Sequence, residues 1–547
     1  MIYCSLWSCT PNFESYKAKA EQGDLEAQFY VGRCYEKGEG IPVNKTKAVE
    51  WYQKAAEQGY AKAQKNLGTC YYNGDGVPIN KTKAVEWFQK AAEQGYSDAQ
   101  CNLGVCYQNG DGVPVNKRKA AEWFQKAAEQ GLSGAQYNLG CCYWDGDGVP
   151  FNKTKAIEWF QKAADQGDTK AQYYLGYCYW NGDGVPVNKT KAVEWFQKAA
   201  EQGFADAQCD LGICYHNGDG IPVNKTKATT WVSKAAEQGL ANAQYTLGCY
   251  YYEGDGVLCN KEKAIKWFQK AADQGHTKAQ YILGSCYYEG EGIPVNKEKG
   301  IEWLKKAAEQ GHAEAQYNLG ICYDTEKDIP GNITKAAKWF QKAAEQGHAQ
   351  AQYNLACCYL NGEGIPGNVT KAVEWFQKAA KQGHAKAQYN VGNYHYNGYG
   401  GPVSKTKAIE WWTKSAEQGV PDAQYSLGAS YYYGTGVPIN KTKAIEWFQK
   451  AAEQGHAQAQ YNLGICYYHG DGISVNEKKA VMWFQKAAEQ GHDMAQYSLG
   501  MCYFNGKGVA RSESRAVFWF KEAAIQGNQS AKRMYINCSI QPISHFN

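Results

Sequence analysis

Residues 24–59 read DLEAQFYVGRCYEKGEGIPVNKTKAVEWYQKAAEQG, and close copies of this segment follow one another along the 547-residue chain. One tryptophan per copy sets the phase at a constant spacing of 36 residues: Trp51, Trp87, Trp123, Trp159, Trp195, Trp231, Trp267, Trp303, Trp339, Trp375, Trp411, Trp447, Trp483 and Trp519. Internal repeats of roughly this length indicate a solenoid, because each repeat can bury its apolar face only against its neighbours. We therefore predict an all-α solenoid of about fourteen helix–loop–helix repeats over residues 24–527, with half-repeat caps at residues 1–23 and 528–547.

Each repeat predicts two helices. In the first repeat, Ala27, Val31 and Cys34 recur at the helical period and predict a buried stripe on a first helix over residues 25–37. A glycine beside this stripe is found in thirteen of the fourteen repeats. Since glycine costs about 1 kcal/mol in a helix, close approach of the second helix is the expected compensation. The second helix is predicted over residues 45–58, with the repeated tryptophan as its main buried anchor.

The loop between the two helices is rich in glycine. Gly38 and Gly40 allow positive φ where the first helix ends, and Pro42 prevents its continuation. Two residues after the proline, the position of Asn44 holds Asn in twelve repeats and Ser in two (Ser404 and Ser512). Both residue types are strong helix caps, so this position is predicted to begin the second helix.

The charge balance excludes one class of function. The chain has 58 Lys+Arg against 54 Asp+Glu, a net charge of +4, whereas a nucleic-acid binder shows a one-sided basic surplus. No segment approaches the roughly 20 apolar residues of a membrane span. The N-terminus has no basic residue before Lys17 and does not resemble a signal peptide. These features predict a soluble, cytoplasmic chain. We also expect the chain to be monomeric and to need no cofactor.

The repeat resembles a known family. In the second repeat, the residues that carry the resemblance are Ala63-Gln64, Leu67-Gly68, Gly74-Asp75-Gly76, Lys83-Ala84 and Trp87-Phe88. This pattern is similar to the Sel1-like repeat, a relative of the tetratricopeptide repeat. The resemblance implies a right-handed α–α superhelix and a non-catalytic role as a scaffold or adaptor for protein partners. Pentatricopeptide repeats have a similar period and bind RNA, but the Leu-Gly and Gly-x-Gly signature and the balanced charge argue against them.

Eleven of the twenty cysteines fall at one position of the predicted first-helix stripe: Cys34, Cys70, Cys106, Cys142, Cys178, Cys214, Cys286, Cys322, Cys358, Cys466 and Cys502. Free cysteine behaves as a small hydrophobic residue, and no zinc-binding spacing occurs, so a core role is expected and no metal site is predicted.

The family also suggests an alternative function. A cysteine-rich bacterial branch pairs a cysteine within each repeat, and some of its members were reported as β-lactamase-like hydrolases. Here the corresponding positions hold alanine, as at Ala56 and Ala63, which disfavours this alternative. A literal S-x-x-K occurs at residues 404–407, but Ser404 stands where the capping Asn is found in other repeats.

Three other patterns have a structural interpretation. Residues 362–367 match a dinucleotide fingerprint, but no strand precedes them, so a loop is predicted. Loop sequons such as that at Asn44 are explained by helix capping. Six histidines are predicted to open first helices in the C-terminal half: His276, His312, His348, His384, His456 and His492.

A partner is expected on the outer side of the first helices, which line the concave surface in helix-pair solenoids. Aromatic residues recur there, and Tyr and Trp are favoured interface anchors. The candidate partner-binding residues are Tyr137, Trp144, Tyr173, Tyr177, Trp180, Tyr245, Tyr252, Tyr281, Tyr288, Tyr389, Tyr396, Tyr425, Tyr432, Tyr461 and Tyr468. The pattern leaves open whether these rings are exposed or pack between adjacent first helices. Departures from the repeat at residues 229–233, 324–328, 393–396 and 411–412 are further candidates for partner specificity.

Overall fold

The computed structural model describes residues 13–325, 332–399 and 401–540, and every regular element in these ranges is a helix. The chain forms two compact units, Met1–Ala279 and Gln280–Asn547. The first helices of the repeats are α2 (Leu25–Lys37), α4 (Ala61–Asn73), α6 (Ser97–Asn109), α8 (Ser133–Asp145), α10 (Thr169–Asn181), α12 (Ala205–Asn217), α14 (Ala241–Glu253), α16 (Thr277–Glu289), α18 (Ala313–Thr325), α20 (Ala349–Asn361), α22 (Ala385–Asn397), α24 (Pro421–Tyr433), α26 (Ala457–His469) and α28 (Asp493–Asn505).

The second helices are α3 (Lys45–Glu57), α5 (Lys81–Glu93), α7 (Lys117–Glu129), α9 (Lys153–Asp165), α11 (Lys189–Glu201), α13 (Lys225–Glu237), α15 (Lys261–Asp273), α17 (Lys297–Glu309), α19 (Asn332–Glu345), α21 (Val369–Lys381), α23 (Lys405–Glu417), α25 (Lys441–Glu453), α27 (Glu477–Glu489) and α29 (Glu513–Ile525). Two flanking helices are α1 (Phe13–Glu21), which packs on α2, and α30 (Gln529–Ile540), which packs on α29. The half-repeat caps stay a prediction, because residues 1–12 and 541–547 lie outside the described ranges. Within each compact unit, consecutive helices pack on one another, which confirms the all-α solenoid of helix pairs.

The predicted start and stop signals act as expected. The Asn44 side chain accepts a hydrogen bond of 2.9 Å from the backbone N–H of Lys47 and thereby caps α3. Ser404 caps α23 in the same way, accepting from the Lys407 N–H at 3.4 Å. The S-x-x-K match is therefore a helix cap. Gly38 ends α2 with φ of 76°.

The glycine within each first helix lets the second helix approach closely. A Cβ atom added at Gly68 would lie 2.7 Å from the ring of Phe88, so the ring lies directly on the backbone of α4. The same relation holds between Gly104 and Phe124. Packing of this ring offsets the helix-propensity cost of glycine, as the sequence predicts.

The repeated tryptophan is not the main buried anchor, which corrects the prediction. Trp267 is only half-buried, whereas the next residue, Phe268, is 1% exposed and lies in the core. The ammonium of Lys270 lies 4.1 Å from the centre of the Trp267 ring. The tryptophans pack at the edge of the core of the preceding repeat, as Trp87 does against the cluster that contains Tyr52. The residue that follows the tryptophan in sequence, such as Phe88 after Trp87, packs against the glycine of the first helix.

A buried glutamine connects successive repeats. The Gln64 side chain donates a hydrogen bond of 3.0 Å to the carbonyl of Ala56 in the preceding repeat. Its oxygen accepts a hydrogen bond of 2.7 Å from the side chain of Gln94 at the end of its own repeat. Gln460 repeats both contacts with Ala452 and Gln490. Because this polar group is buried at 4% exposure and hydrogen-bonded on both sides, it stabilises the repeat junction without an unsatisfied group.

The remaining sequence motifs are structural where they are described. All eleven cysteines of the repeated position are buried in the interior, which confirms their core role. Residues 362–368 form the loop between α20 and α21, so the dinucleotide fingerprint is a helix–helix connection. Part of the departure at residues 324–328 lies outside the described residues, since only 324 and 325 are described there.

Candidate partner-binding face

The first helices of the repeats bury one side and turn the other outward. In α10 the buried residues are Ala171, Gln172, Leu175, Gly176 and Cys178. The opposite side of each first helix, which in α10 carries residues 170, 173, 174, 177 and 180, is here called the first-helix face. Exposed or half-exposed aromatic side chains on this face are the feature that could recognise a partner.

Most of the candidate rings are half-buried because they flank the buried aromatic ring of their own repeat. Tyr137 lies 5.9 Å and Trp144 lies 6.3 Å from the centre of the Phe160 ring. In the next repeat, Trp180 lies 6.2 Å from Phe196. The half-buried candidates are Tyr137, Trp144, Tyr173, Trp180, Tyr245, Tyr252, Tyr281, Tyr288, Tyr389, Tyr396, Tyr425, Tyr432, Tyr461 and Tyr468, whereas Tyr177 is 43% exposed. These rings therefore contribute to the core as well as to the surface.

Lysines cover several rings at the loop end of the face. The Lys153 ammonium lies 5.0 Å from the centre of the Trp144 ring, and the Lys189 ammonium lies 4.8 Å from that of Trp180. Lys189 also forms an ion pair of 2.6 Å with Asp219 in the loop of the next repeat. The ion pair connects neighbouring repeats, and the cation–π contacts within each repeat leave less of these two rings open to a partner.

The six histidines cap first helices and stack on tyrosines of the face. The Nδ1 atom of His384 accepts a hydrogen bond of 3.1 Å from the Ala387 backbone N–H, and its ring stacks on Tyr353 at 4.6 Å. The stacked pairs are Tyr245–His276, Tyr281–His312, Tyr317–His348, Tyr353–His384, Tyr425–His456 and Tyr461–His492. Sequence reasoning predicted the helix starts but missed the stacking and omitted Tyr317 and Tyr353. The constant spacing of 31 residues between the partners could have revealed it.

The helix α10 carries the densest aromatic part of the face. Tyr174 and Tyr177 are 36% and 43% exposed, and they lie about one turn apart on the same side of α10. Tyr173 lies beside them, with its ring 5.8 Å from that of Tyr174. The sequence-based set omitted Tyr174, because most other repeats have a polar residue at this position. The run Tyr173-Tyr174 followed by Tyr177 was the available signal.

An acidic pair on α12 lies next to these tyrosines. The hydroxyl of Tyr173 donates a hydrogen bond of 3.1 Å to the Asp210 carboxylate. Burial raises the pKa of Asp210 to about 6, an effect that the Tyr173 hydroxyl opposes and the neighbouring Asp206 carboxylate strengthens. This part of the first-helix face therefore combines aromatic surface with negative charge at neutral pH.

Two kinds of site are not seen in the described residues. Within these ranges, no group of three or more His, Cys, Asp or Glu side chains is arranged to hold a metal ion. None of the described helices is both long and apolar enough to cross a membrane.

Comparison with known proteins identifies the repeat. The family model of the Sel1 repeat matches fourteen consecutive segments, from residues 25–60 to residues 493–528. Among solved structures, the chain is similar to c5321, a protective antigen present in uropathogenic Escherichia coli strains that displays an SLR fold. The two share 33% identity over 98% of this chain and 99% of that one, with a TM-score of 0.59.

A second solved structure, a Sel1 repeat protein from Oxalobacter formigenes, shares 36% identity over 55% of this chain and 87% of its own, with a TM-score of 0.43. No curated protein matches the chain.

Proposed function

The chain belongs to the Sel1 repeat family, and we propose that it is a non-catalytic scaffold or adaptor that binds protein or peptide partners along the first-helix face. The observation that carries the proposal is the tyrosine cluster of α10, in which Tyr174 and Tyr177 are exposed and Tyr173 donates to the Asp210 carboxylate near Asp206. Exposed aromatic groups of this kind have no role in solubility and mark interaction sites. Tyrosine also gives a large contact area at low entropic cost, which suits an interface anchor.

The charge of this region indicates the chemistry of the partner. The Asp210 carboxylate accepts a hydrogen bond from Tyr173 and has Asp206 nearby, and burial raises the pKa of Asp210 to about 6, so it is mainly ionised at neutral pH. A cationic side chain of a partner would pair with these carboxylates and stack on the tyrosine rings. We therefore expect the partner to present a lysine or arginine next to an apolar residue at this point.

The decisive experiment compares two double variants in affinity capture, followed by titration of the purified partner. Replacing Tyr174 and Tyr177 with alanine should weaken binding by about 2 kcal/mol or more, the range of interface hot spots. The single variant Tyr177→Ala should retain the fold, since Tyr177 is 43% exposed. Tyr174 also stacks on the buried Phe160 ring at 5.8 Å, so thermal unfolding of the double variant is measured alongside binding. The matched control replaces Glu194 and Glu201, exposed residues of the second helix α11, and should bind as tightly as the wild type. Unchanged affinity of the tyrosine variant for every recovered partner would contradict the proposal.

A cytoplasmic location, a monomeric state and the lack of a cofactor are parts of the same proposal. The buried cysteines support it, because their pKa values are raised by burial, to about 12 for Cys70 and about 11 for Cys106. Neutral, inaccessible thiols react slowly and suit a reducing compartment.

A further inference from the structure

A cavity of about 270 Å³ lies between the neighbouring first helices α22 and α24. Its lining includes Asn393, Asn397, Trp412, Ser426, Tyr433 and Thr435. All residues that line it are uncharged, although 20% of the chain consists of charged residues. The cavity therefore combines aromatic rings with amide and hydroxyl groups, and the nearby Lys405 ammonium is held over the Tyr396 ring, where it donates to the Tyr396 carbonyl at 2.6 Å.

The cavity coincides with a departure from the repeat. Trp412 stands where most repeats have phenylalanine, and Ser430 stands where eleven repeats have the buried cysteine. Asn393 is the one asparagine at its repeat position among the fourteen repeats. The Phe-containing repeats show that the solenoid packs without these changes. Their joint appearance around one cavity makes this cavity a candidate ligand site.

The lining of this cavity presents amide and hydroxyl groups that can form hydrogen bonds to a ligand. The Trp412 indole N–H donates a hydrogen bond of 3.0 Å to the Asn393 side-chain oxygen, which orients the amide and leaves its NH₂ group to donate elsewhere. Asn397 follows one turn later on the same side of α22 and is exposed. Ser426 and Thr435 add hydroxyl groups, and Tyr433 is 67% exposed.

A second cavity, of about 220 Å³, occupies the equivalent place between α4 and α6, but its Thr69, Tyr72 and Asn73 side chains form hydrogen bonds within the protein. The Tyr72 hydroxyl donates to Asp111 at 2.6 Å, and the Thr69 hydroxyl donates to the Lys65 carbonyl at 3.0 Å. The Asn73 amide lies 3.5 Å from the Asp75 carboxylate. Equivalent positions in the two compact units therefore differ in the hydrogen-bonding groups that they offer.

From these features we infer that the cavity between α22 and α24 binds a neutral sugar ring, a pyranose. The lining offers no charged group to pair with a charged ligand, and a purely apolar ligand would forgo the hydrogen bonds that the amides and hydroxyls of the lining can make. A pyranose satisfies both requirements, because its C–H face packs on an aromatic ring such as Tyr433 and its hydroxyls pair with amides and hydroxyls. The volume fits one ring and is below that of a typical drug-sized pocket.

The test titrates the full chain with glucose, galactose, N-acetylglucosamine and their methyl glycosides, using saturation-transfer NMR and calorimetry. We expect at least one sugar to bind with a dissociation constant on the order of 1 mM. Asn397→Ala and Thr435→Val should each weaken that binding by about tenfold. The matched control, Asn73→Ala in the cavity between α4 and α6, should bind as the wild type does.

The variants and ligands separate the possible outcomes. Asn397 and Thr435 do not lie in the core, so their replacement should leave the melting temperature unchanged. Absence of binding by every sugar up to about 20 mM overturns the inference, as does equal binding by Asn397→Ala and Thr435→Val. Binding of the reducing sugar alone identifies a free sugar as the source, and equal binding of its methyl glycoside identifies the end of a glycan. The tyrosine variants of α10 test partner binding separately, so either idea can fail alone.

Discussion

Acidification should weaken the start of α22, because His384 caps this helix only while its ring is neutral. The Nδ1 atom of His384 accepts from the Ala387 N–H at 3.1 Å, and Nε2 lies 2.9 Å from the Gln350 side-chain oxygen, so Nε2 carries the proton. A protonated ring has no acceptor left for the helix N–H. Its positive charge would also face the positive end of the helix dipole.

The structure gives the sign and the size of the effect. Burial lowers the pKa of His384 and the nearby Lys386 ammonium lowers it further, against a rise from a backbone hydrogen bond. The folded state therefore binds fewer protons than the unfolded state. The contribution of the neutral His384 cap to stability is fully present above the unfolded pKa of about 6.5 and is lost as the pH falls through the folded pKa. Loss of the cap costs about 1 kcal/mol and repulsion by the helix dipole about 0.3–1 kcal/mol, which together change the opening equilibrium of this helix start by roughly tenfold.

Hydrogen exchange followed by mass spectrometry measures the protection of peptides from α22 at about pH 7.5 and about pH 5.5, after correction for intrinsic exchange rates. His384→Asn is the matched control, because Asn528 caps α30 through the same bond to Ala531 at 3.0 Å and does not titrate. The reasoning fails if the wild-type protection of α22 is equal at the two pH values, or if it falls equally in His384→Asn.

Three shorter predictions follow from the packing and the thiols. Phe268→Ala should destabilise α14 and α15 by about 3–5 kcal/mol and Trp267→Ala by clearly less, since only the phenylalanine is fully buried; local hydrogen exchange measures both, and a larger effect of the tryptophan would contradict the assignment. Gly68→Ala should cost up to about 2 kcal/mol in thermal unfolding, because the clash of the new methyl group with the Phe88 ring, about 1–3 kcal/mol, outweighs a gain of about 1 kcal/mol in helix propensity; a raised melting temperature would mean that α4 and α5 have room to separate. Thiol titration of denatured protein should give close to the 20 cysteines of the sequence, and in the native protein exposed Cys259 should react far faster than buried thiols, with Cys259→Ser as the control; a count near zero would indicate an oxidising compartment.

The local features of the fold could be predicted because they depend on residues close in sequence. The Asn44 cap, the positive φ of Gly38 and the close approach of the second helix at Gly68 each follow from one residue type and its immediate chemistry. Repetition strengthens such predictions, since the same environment is sampled fourteen times along the chain. The all-α solenoid therefore follows from the sequence alone.

The packing of helices on one another could not be predicted in the same way. Trp267 and Phe268 are adjacent on one helix, and which of them is buried depends on the position of the facing glycine helix. The stack of Tyr353 on His384 likewise joins residues from two repeats. Both relations depend on the rotation of a helix about its axis, which a hydrophobic period defines only to within one residue.

The same limit explains why the candidate set mixed structural and accessible rings. Trp144 and Tyr137 share the outer side of α8, yet both also flank the buried Phe160. By contrast, Tyr177 lies one turn beyond Tyr173 and is exposed. In a periodic solenoid the common residue at a position shows what the fold requires there. A departure such as Trp412 with Asn393 is informative because the other repeats show that stability does not require it. Function should therefore be sought where the repeat changes while the packing is preserved.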